Sequence, residues 1–366
     1  MVPNISVKVG PQFYRYSPGA IDFIPEILRE YRVNNVLIIH GTISWEKAKP
    51  FLKSVLETDF NFFFERYNGE CSYNECYRIA EIIREKEIDF VIGVGGGKLA
   101  DLTLYSSFLA NIPFGVVPTL ASNCAPWAPL SVMYRDDGVA EGKTEHVNRQ
   151  AAFLITDPNL IIDAPIDYFV AGLADTLAKW YESDLILQQE EFSEVPFLQL
   201  ARFAAKMCKD IILNEGKKAL EDMKNGTLSK EFIHVSEIIF AVAGLVGGFG
   251  DKFARNTAAH AIHDAISKYL PEVNKYLHGE KVAYGIFYQL ALENKWSVID
   301  ELIPFYEELN LPKSLTEMGV YPLTEDLMKN IIQFVNGKEK VHLLPMEINE
   351  TVLKDALVYL ENYINK

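Results

Sequence analysis

The chain has 366 residues, with 35 Lys and Arg against 50 Asp and Glu, a formal net charge of −15, and 49% hydrophobic and 23% charged residues. This composition excludes a disordered chain, a fibre or a coiled coil. Its acidity disfavours nucleic acid or an anionic membrane face as partner, because both attract Lys/Arg patches. At roughly 100–200 residues per domain, the length predicts two domains, and the profile fits an enzyme acting on a small molecule. Four cysteines, Cys71, Cys76, Cys124 and Cys208, are too few for a disulfide framework. The opening stretch MVPNISVKVGPQ has no apolar core behind a basic start. Reduced thiols and a cytoplasmic location are expected.

In chain order, a helical stretch over Ile21–Tyr31 precedes an apolar strand, Val36–Ile39. A helix over Asn74–Lys86, a strand over Phe90–Val94, a helix over Leu99–Leu109 and a strand over Phe114–Val117 follow. Phe153–Ile155 and Leu160–Ile162 read as two more strands. Strands apolar throughout, rather than alternating, are those covered on both faces by helices. The alternation therefore predicts an α/β doubly wound parallel sheet of Rossmann-like type. No Asp, Glu, Lys or Arg occurs from Leu102 to Tyr134, but Pro113, Pro118, Pro126 and Pro129 interrupt that stretch. A single spanning helix is excluded, and a buried active-site segment is expected. Beyond Asp163 the pattern becomes helical, over Phe169–Leu187, Phe197–Asn214, Glu231–Gly244, Ala254–Lys268, Lys281–Gln289 and Leu353–Asn365. Residues 1–162 are thus expected to form the α/β domain and 163–366 an all-α domain.

Three segments carry chemistry. Gly93-Val94-Gly95-Gly96-Gly97-Lys98 follows a strand and opens a helix, so its backbone can approach a phosphate at a helix N-terminus. The G-x-G-x-x-G fingerprint fails at Lys98, and a tight turn without ligand fits the same residues. Pro118-Thr119-Leu120-Ala121-Ser122-Asn123-Cys124 follows the next strand, at the end where open α/β sheets bind ligands. The third segment set concerns a metal. Of seven histidines, His234, His260, His263 and His278 cluster, and Asp175 lies in an otherwise apolar helix. A buried carboxylate needs a partner. One carboxylate with two imidazoles suits a catalytic divalent metal; a core aspartate paired with a lysine, beside surface histidines, suits the same spacing.

Taken together these segments resemble the iron-containing alcohol dehydrogenase family, in particular its glycerol-dehydrogenase-like group. The residues that carry the resemblance are Gly10-Pro11, Tyr14, Pro18-Gly19-Ala20, Gly95-Gly96-Gly97-Lys98 with Asp101, and Pro118-Thr119 with Ser122, Ala125 and Pro126. Asp175 with Trp180 and Glu182, Ala259-His260-Ala261 with His263, and His278-Gly279-Glu280-Lys281-Val282-Ala283 complete the set. The resemblance implies a dehydroquinate-synthase-like architecture whose helical domain binds a divalent metal, zinc or iron, through Asp175, His260 and His278. It implies NAD or NADP contacts from Gly95, Gly96, Gly97, Lys98, Asp101, Thr119, Ser122, Leu130 and Tyr134. His263, one helical turn from His260, is a candidate proton donor, with metal-bound water as the alternative.

Four departures shape the expected substrate. Cys124 stands where glycerol dehydrogenases carry an aspartate that holds glycerol. His40-Gly41-Thr42 ends the first strand without the acid that binds a ribose 2′-hydroxyl, so NADPH is admitted. Leu104 replaces a lysine common in the family. Lys179 shares a helix face with Asp175, where it could hold a substrate carboxylate. With Cys124, Lys179 makes this chain look like the branch of hydroxycarboxylate dehydrogenases that reduce 2-oxo acids. The expected activity is hydride transfer between nicotinamide and a small 2-oxo or 2-hydroxy acid. The alternatives are glycerol oxidation and a dehydroquinate-synthase-like lyase reaction. A small-molecule substrate, a homo-oligomer, and neither nucleic acid nor membrane are the expected partners.

Overall fold

A computed structural model describes residues 4–366. One unit comprises Lys8–Phe169 with Lys218–Gly244, and the other Val170–Lys217 with Leu245–Lys366. The expected single cut after residue 162 is thus displaced. The first turn of the Ile166–Leu187 helix and the segment Lys218–Gly244 pack with the sheet. Helix continuity hid this division, because an uninterrupted helical pattern gives no sign of which unit buries it.

The first unit is built on six parallel strands in the order β1-β8-β5-β4-β2-β3. They are β1 (Phe13–Tyr16), β2 (Asn35–His40), β3 (Asn61–Arg66), β4 (Phe90–Gly95), β5 (Phe114–Pro118) and β8 (Phe153–Thr156). The central strands β4, β5 and β8 are buried at every position, as is Val36–Ile39 of β2, which is the burial expected of a sheet covered on both faces. Register aligns Val36 with Phe90, Val91 with Phe114, and Gly115 with Phe153. All parallel strands therefore end on one side, where β4 and β5 deliver the glycine turn and the Thr119–Cys124 loop. Antiparallel β6 (Leu130–Tyr134) and β7 (Ala140–His146) form a separate hairpin. The charge-free stretch runs through the largely buried helix Gly97–Ala110, through β5 and into β6.

Leu160–Ile162, expected as a strand, is instead the end of a short helix, Pro158–Ile162. Asp157 caps it by accepting from Asn159 N at 2.8 Å, and Pro158 occupies its first turn. A capping residue followed by proline fixes a helix start, and it outweighs the strand-like apolar run. The edge strand β1 and the hairpin went unseen because they are short or half-exposed, and edge strand β3 because its apolar run is only Phe62-Phe63-Phe64, half-exposed and flanked by Asn61, Glu65 and Arg66.

The second unit is helical. His278–Leu292 is buried at nearly every position after His278 and sits in the core. Two of its glycines permit backbone contact: a Cβ on Gly279 would lie 1.8 Å from the Ala171 carbonyl oxygen, and one on Gly285 would lie 2.3 Å from that of Ala259. The His278 helix thus crosses the helices bearing Asp175 and His260 at backbone distance. Trp296–Glu308 and Glu325–Asn336 add two helices that the sequence patterning did not reveal. Lys230–Phe253 is long and apolar enough to cross a membrane, but 61% of its most apolar window is buried inside the protein.

Candidate active site

Asp175 and Glu182 are seven residues apart on one helix, with Lys179 between them on the same face. His260 and His263 lie on the Ala258–Tyr269 helix, and His278 opens its own helix. Among the described residues, Asp175, His260 and His278 bring one ligand atom each within 4.8 Å of one another. His260 Nε2 is 3.3 Å and His278 Nε2 3.4 Å from Asp175 Oδ1. Asp175 and His260 are buried, whereas the His278 imidazole is 40% exposed and opens the group to one side.

The hydrogen bonding of this group calls for a cation. Glu182 Oε2 lies 2.6 Å from His260 Nδ1, and Glu182 Oε1 accepts from His260 N at 2.9 Å and Thr257 N at 2.6 Å. Burial raises the Glu182 pKa, but the His260 and Lys179 charges and these donors hold it below its ordinary value. An ionised carboxylate only accepts, so His260 Nδ1 must donate to it. In the neutral ring Nε2 then carries a lone pair aimed at Asp175 Oδ1. That oxygen is buried and accepts no hydrogen bond. Burial pushes the Asp175 pKa up, yet Lys179 and the two imidazoles more than offset it and hold the carboxyl well below the usual range. A negative oxygen faced by imidazole nitrogens therefore needs a positive centre between them. Without a metal, that centre is the His260 proton: burial disfavours it, but the two carboxylates raise the pKa to about 9. The donor set fits a divalent ion of the zinc or iron type.

His263 joins the group, its ring centroid 4.4 Å from that of His278. Its Nδ1 lies 3.1 Å from Asp264 Oδ1. Burial and the neighbouring His278 hold its pKa down to about 3, so at neutral pH it presents a lone pair at Nε2 rather than an acidic proton. Lys179 is buried, and its charge acts on Asp175, Glu182 and His260. Lys281, also buried, acts on His263, and Lys340 acts on Asp264 and Glu182. Glu182, Lys281 and Lys340 were not singled out from sequence as site residues; the spacing of seven from Asp175 was the available signal for Glu182.

The nucleotide-type residues gather in the sheet unit. Gly95–Gly97 leave β4 and open a 14-residue helix whose first N–H groups have no partner within it. A Cβ on Gly97 would lie 2.8 Å from Asn123 Oδ1, so the loop carrying Ser122 and Cys124 lies close over this turn. Thr119 N donates to Gly95 O at 3.1 Å, joining the two loops. Lys98 pairs with Glu70 at 2.6 Å and lies 4.7 Å from the Tyr134 ring centroid. Leu130 and Tyr134 are the two ends of β6, which packs against the helix that this turn opens.

Asp101 takes a different place. It is buried, accepts from Val132 N at 3.1 Å, and its other carboxyl oxygen has no partner. Burial raises its pKa well above normal. A carboxyl with a raised folded-state pKa weakens the fold as pH climbs past the ordinary carboxylate value. Asp101→Asn should therefore be more heat-stable than the parent at pH 8, with the gap closing toward pH 5. Thermal melts across that range check this, and a pH-independent gap would contradict it.

The iron-containing alcohol dehydrogenase family profile matches residues 11–158. The chain is 33% identical to hydroxycarboxylate dehydrogenase A of Escherichia coli K12, with 98% of both chains covered. It is 30% identical to a glycerol dehydrogenase of Thermotoga maritima, again over 98% of each. A crystal structure of a probable glycerol dehydrogenase from Sinorhizobium meliloti 1021 superposes with a TM-score of 0.86 at 26% identity, covering 99% of each chain. The fold, the converging aspartate and histidines, and these relatives agree: the chain is an oxidoreductase that belongs to the iron-containing alcohol dehydrogenase family, within its glycerol-dehydrogenase-like group.

Proposed function

We propose that this enzyme transfers hydride between a nicotinamide cofactor and a small 2-oxo or 2-hydroxy acid, at a divalent metal held by Asp175, His260 and His278. The observation that carries the metal is the buried Asp175 oxygen, unpaired and faced by two imidazole nitrogens. Bound there, a zinc or iron ion supplies Lewis-acid polarisation of the reacting oxygen. Glu182 fixes the His260 tautomer so that Nε2 faces the ion. His278, the exposed member, marks the side from which substrate enters. Gly95–Gly97 and the helix N-terminus behind them are suited to the cofactor pyrophosphate, with Thr119, Ser122, Lys98 and Tyr134 around it.

Charge favours an acid as substrate. With a divalent ion counted, Asp175, Glu182 and Lys179 leave one net positive charge among buried side chains, and Lys281 adds another. A neutral polyol gains little from that field, whereas a carboxylate gains directly. Cys124, in the sheet unit, lacks the charge with which an aspartate would hold a polyol and repel an acid.

The test is a panel of 2-oxo acids and polyols with both nicotinamide cofactors, before and after chelation. A 2-oxo acid should give the highest kcat/KM, and chelation should remove the activity. Lys179→Met should raise KM for the 2-oxo acid about 10–100-fold, as expected for loss of a charged hydrogen bond, while changing KM for a neutral aldehyde by much less. Glycerol turned over faster than every acid would overturn the substrate assignment. Cofactor recycled without net consumption would point to a lyase.

A further inference from the structure

Strands β2 and β3 pair in parallel register so that His40 lies opposite Arg66 at their carboxyl ends. This is the side on which open parallel sheets receive their ligands. The loop after β2 is tied to the glycine turn of β4, because Ser44 Oγ accepts from Gly41 N at 3.0 Å and donates to the Val94 carbonyl at 3.2 Å. A dinucleotide whose pyrophosphate lies on Gly95–Gly97 would therefore bring its adenosine ribose toward the residues that follow β2.

No acid stands there to bind a 2′-hydroxyl; the sequence is His40-Gly41-Thr42. The Arg66 guanidinium is nearby and exposed, its Nη1 3.4 Å from Thr42 Oγ1. Among the described residues no carboxylate lies within 4.0 Å of it, although acids outnumber bases in this chain by 50 to 35. His40 is held in place by stacking on Trp45, with ring centroids 4.8 Å apart and planes 27° apart. A guanidinium fork beside a hydroxyl, on a braced loop without a competing acid, matches a phosphate dianion.

We infer that Arg66 and Thr42 bind the 2′-phosphate of NADP(H), making the enzyme selective for the phosphorylated cofactor. The inference rests on the nicotinamide reading of the glycine turn. It is tested by calorimetric binding of adenosine 2′,5′-bisphosphate and of ADP to the full chain, neither of which requires turnover. The bisphosphate should bind at least 10-fold more tightly. Arg66→Leu should remove that margin while leaving ADP affinity within twofold, Arg66→Lys should restore part of it, and Thr42→Val should reduce it severalfold. In steady state, Arg66→Leu should raise KM for NADPH at least 10-fold and leave KM for NADH unchanged. Equal affinity of the parent for the two nucleotides would overturn this inference alone. Failure of both to bind would overturn it together with the cofactor reading. A loss of ADP affinity in Arg66→Leu equal to the loss of bisphosphate affinity would also overturn it, since Arg66 would then not discriminate the 2′ position.

Discussion

Asp175→Ala is expected to bind less than a tenth of the metal held by the parent and to lose at least about a thousandfold in metal-dependent turnover, equivalent to several kcal/mol of transition-state stabilisation. Asp175 supplies the one carboxylate among the three converging side chains. Without it, two neutral imidazoles must hold a divalent ion beside the buried Lys179, whose positive charge then opposes binding. Of the two carboxyl oxygens removed, Oδ1 accepts no hydrogen bond in the folded chain, and the fold should survive the change. Metal analysis of the purified variant, with a thermal melt as control, separates loss of the site from loss of the fold. A variant that folds, retains a full complement of metal and turns over at the parental rate would refute the role of Asp175.

Glu182 presents the opposite balance. Its carboxylate accepts from Thr257 N, His260 N and His260 Nδ1, all buried. Glu182→Ala strands three donors away from water, each costing about 1–3 kcal/mol, so a loss of about 3–5 kcal/mol in unfolding free energy is expected. Chemical denaturation of the metal-free protein reads this directly. Glu182→Gln keeps the volume and one acceptor but can no longer enforce the His260 tautomer. Its metal affinity should fall about 10–100-fold, the usual effect of losing a partner that orients a ligand, with a smaller change in stability. Metal titration that finds parental affinity in Glu182→Gln would reduce Glu182 to a structural brace.

The two carboxylates differ in how the protein engages them. Asp175 Oδ1 is left unpartnered by the protein and is suited to an ion, whereas Glu182 is fully engaged by the protein and holds His260 in place. Lys179 lies on the same face between them and lowers the pKa of both. Its closeness to Asp175 was readable from a spacing of four; its simultaneous grip on Glu182 follows from a spacing of three, visible once the helix is known to be continuous.

The amino-acid order alone determined the sheet's interior and the kinds of chemistry available. Four apolar runs, at β2, β4, β5 and β8, can be stable only between layers of helix, and glycines directly after β4 can serve only a backbone that turns or approaches closely. The residue types at 175, 260 and 278 also stood out, as polar groups set among apolar neighbours. What the order of residues left open was every relation that depends on chains crossing in space. The meeting of Asp175, His260 and His278 depends on Gly279 and Gly285, whose missing side chains let one helix touch the backbones of two others. The approach of Arg66 to Thr42 depends on the register of β2 against β3. Local patterning records how each segment buries its own surface; which segments share a surface is decided only when the whole core packs.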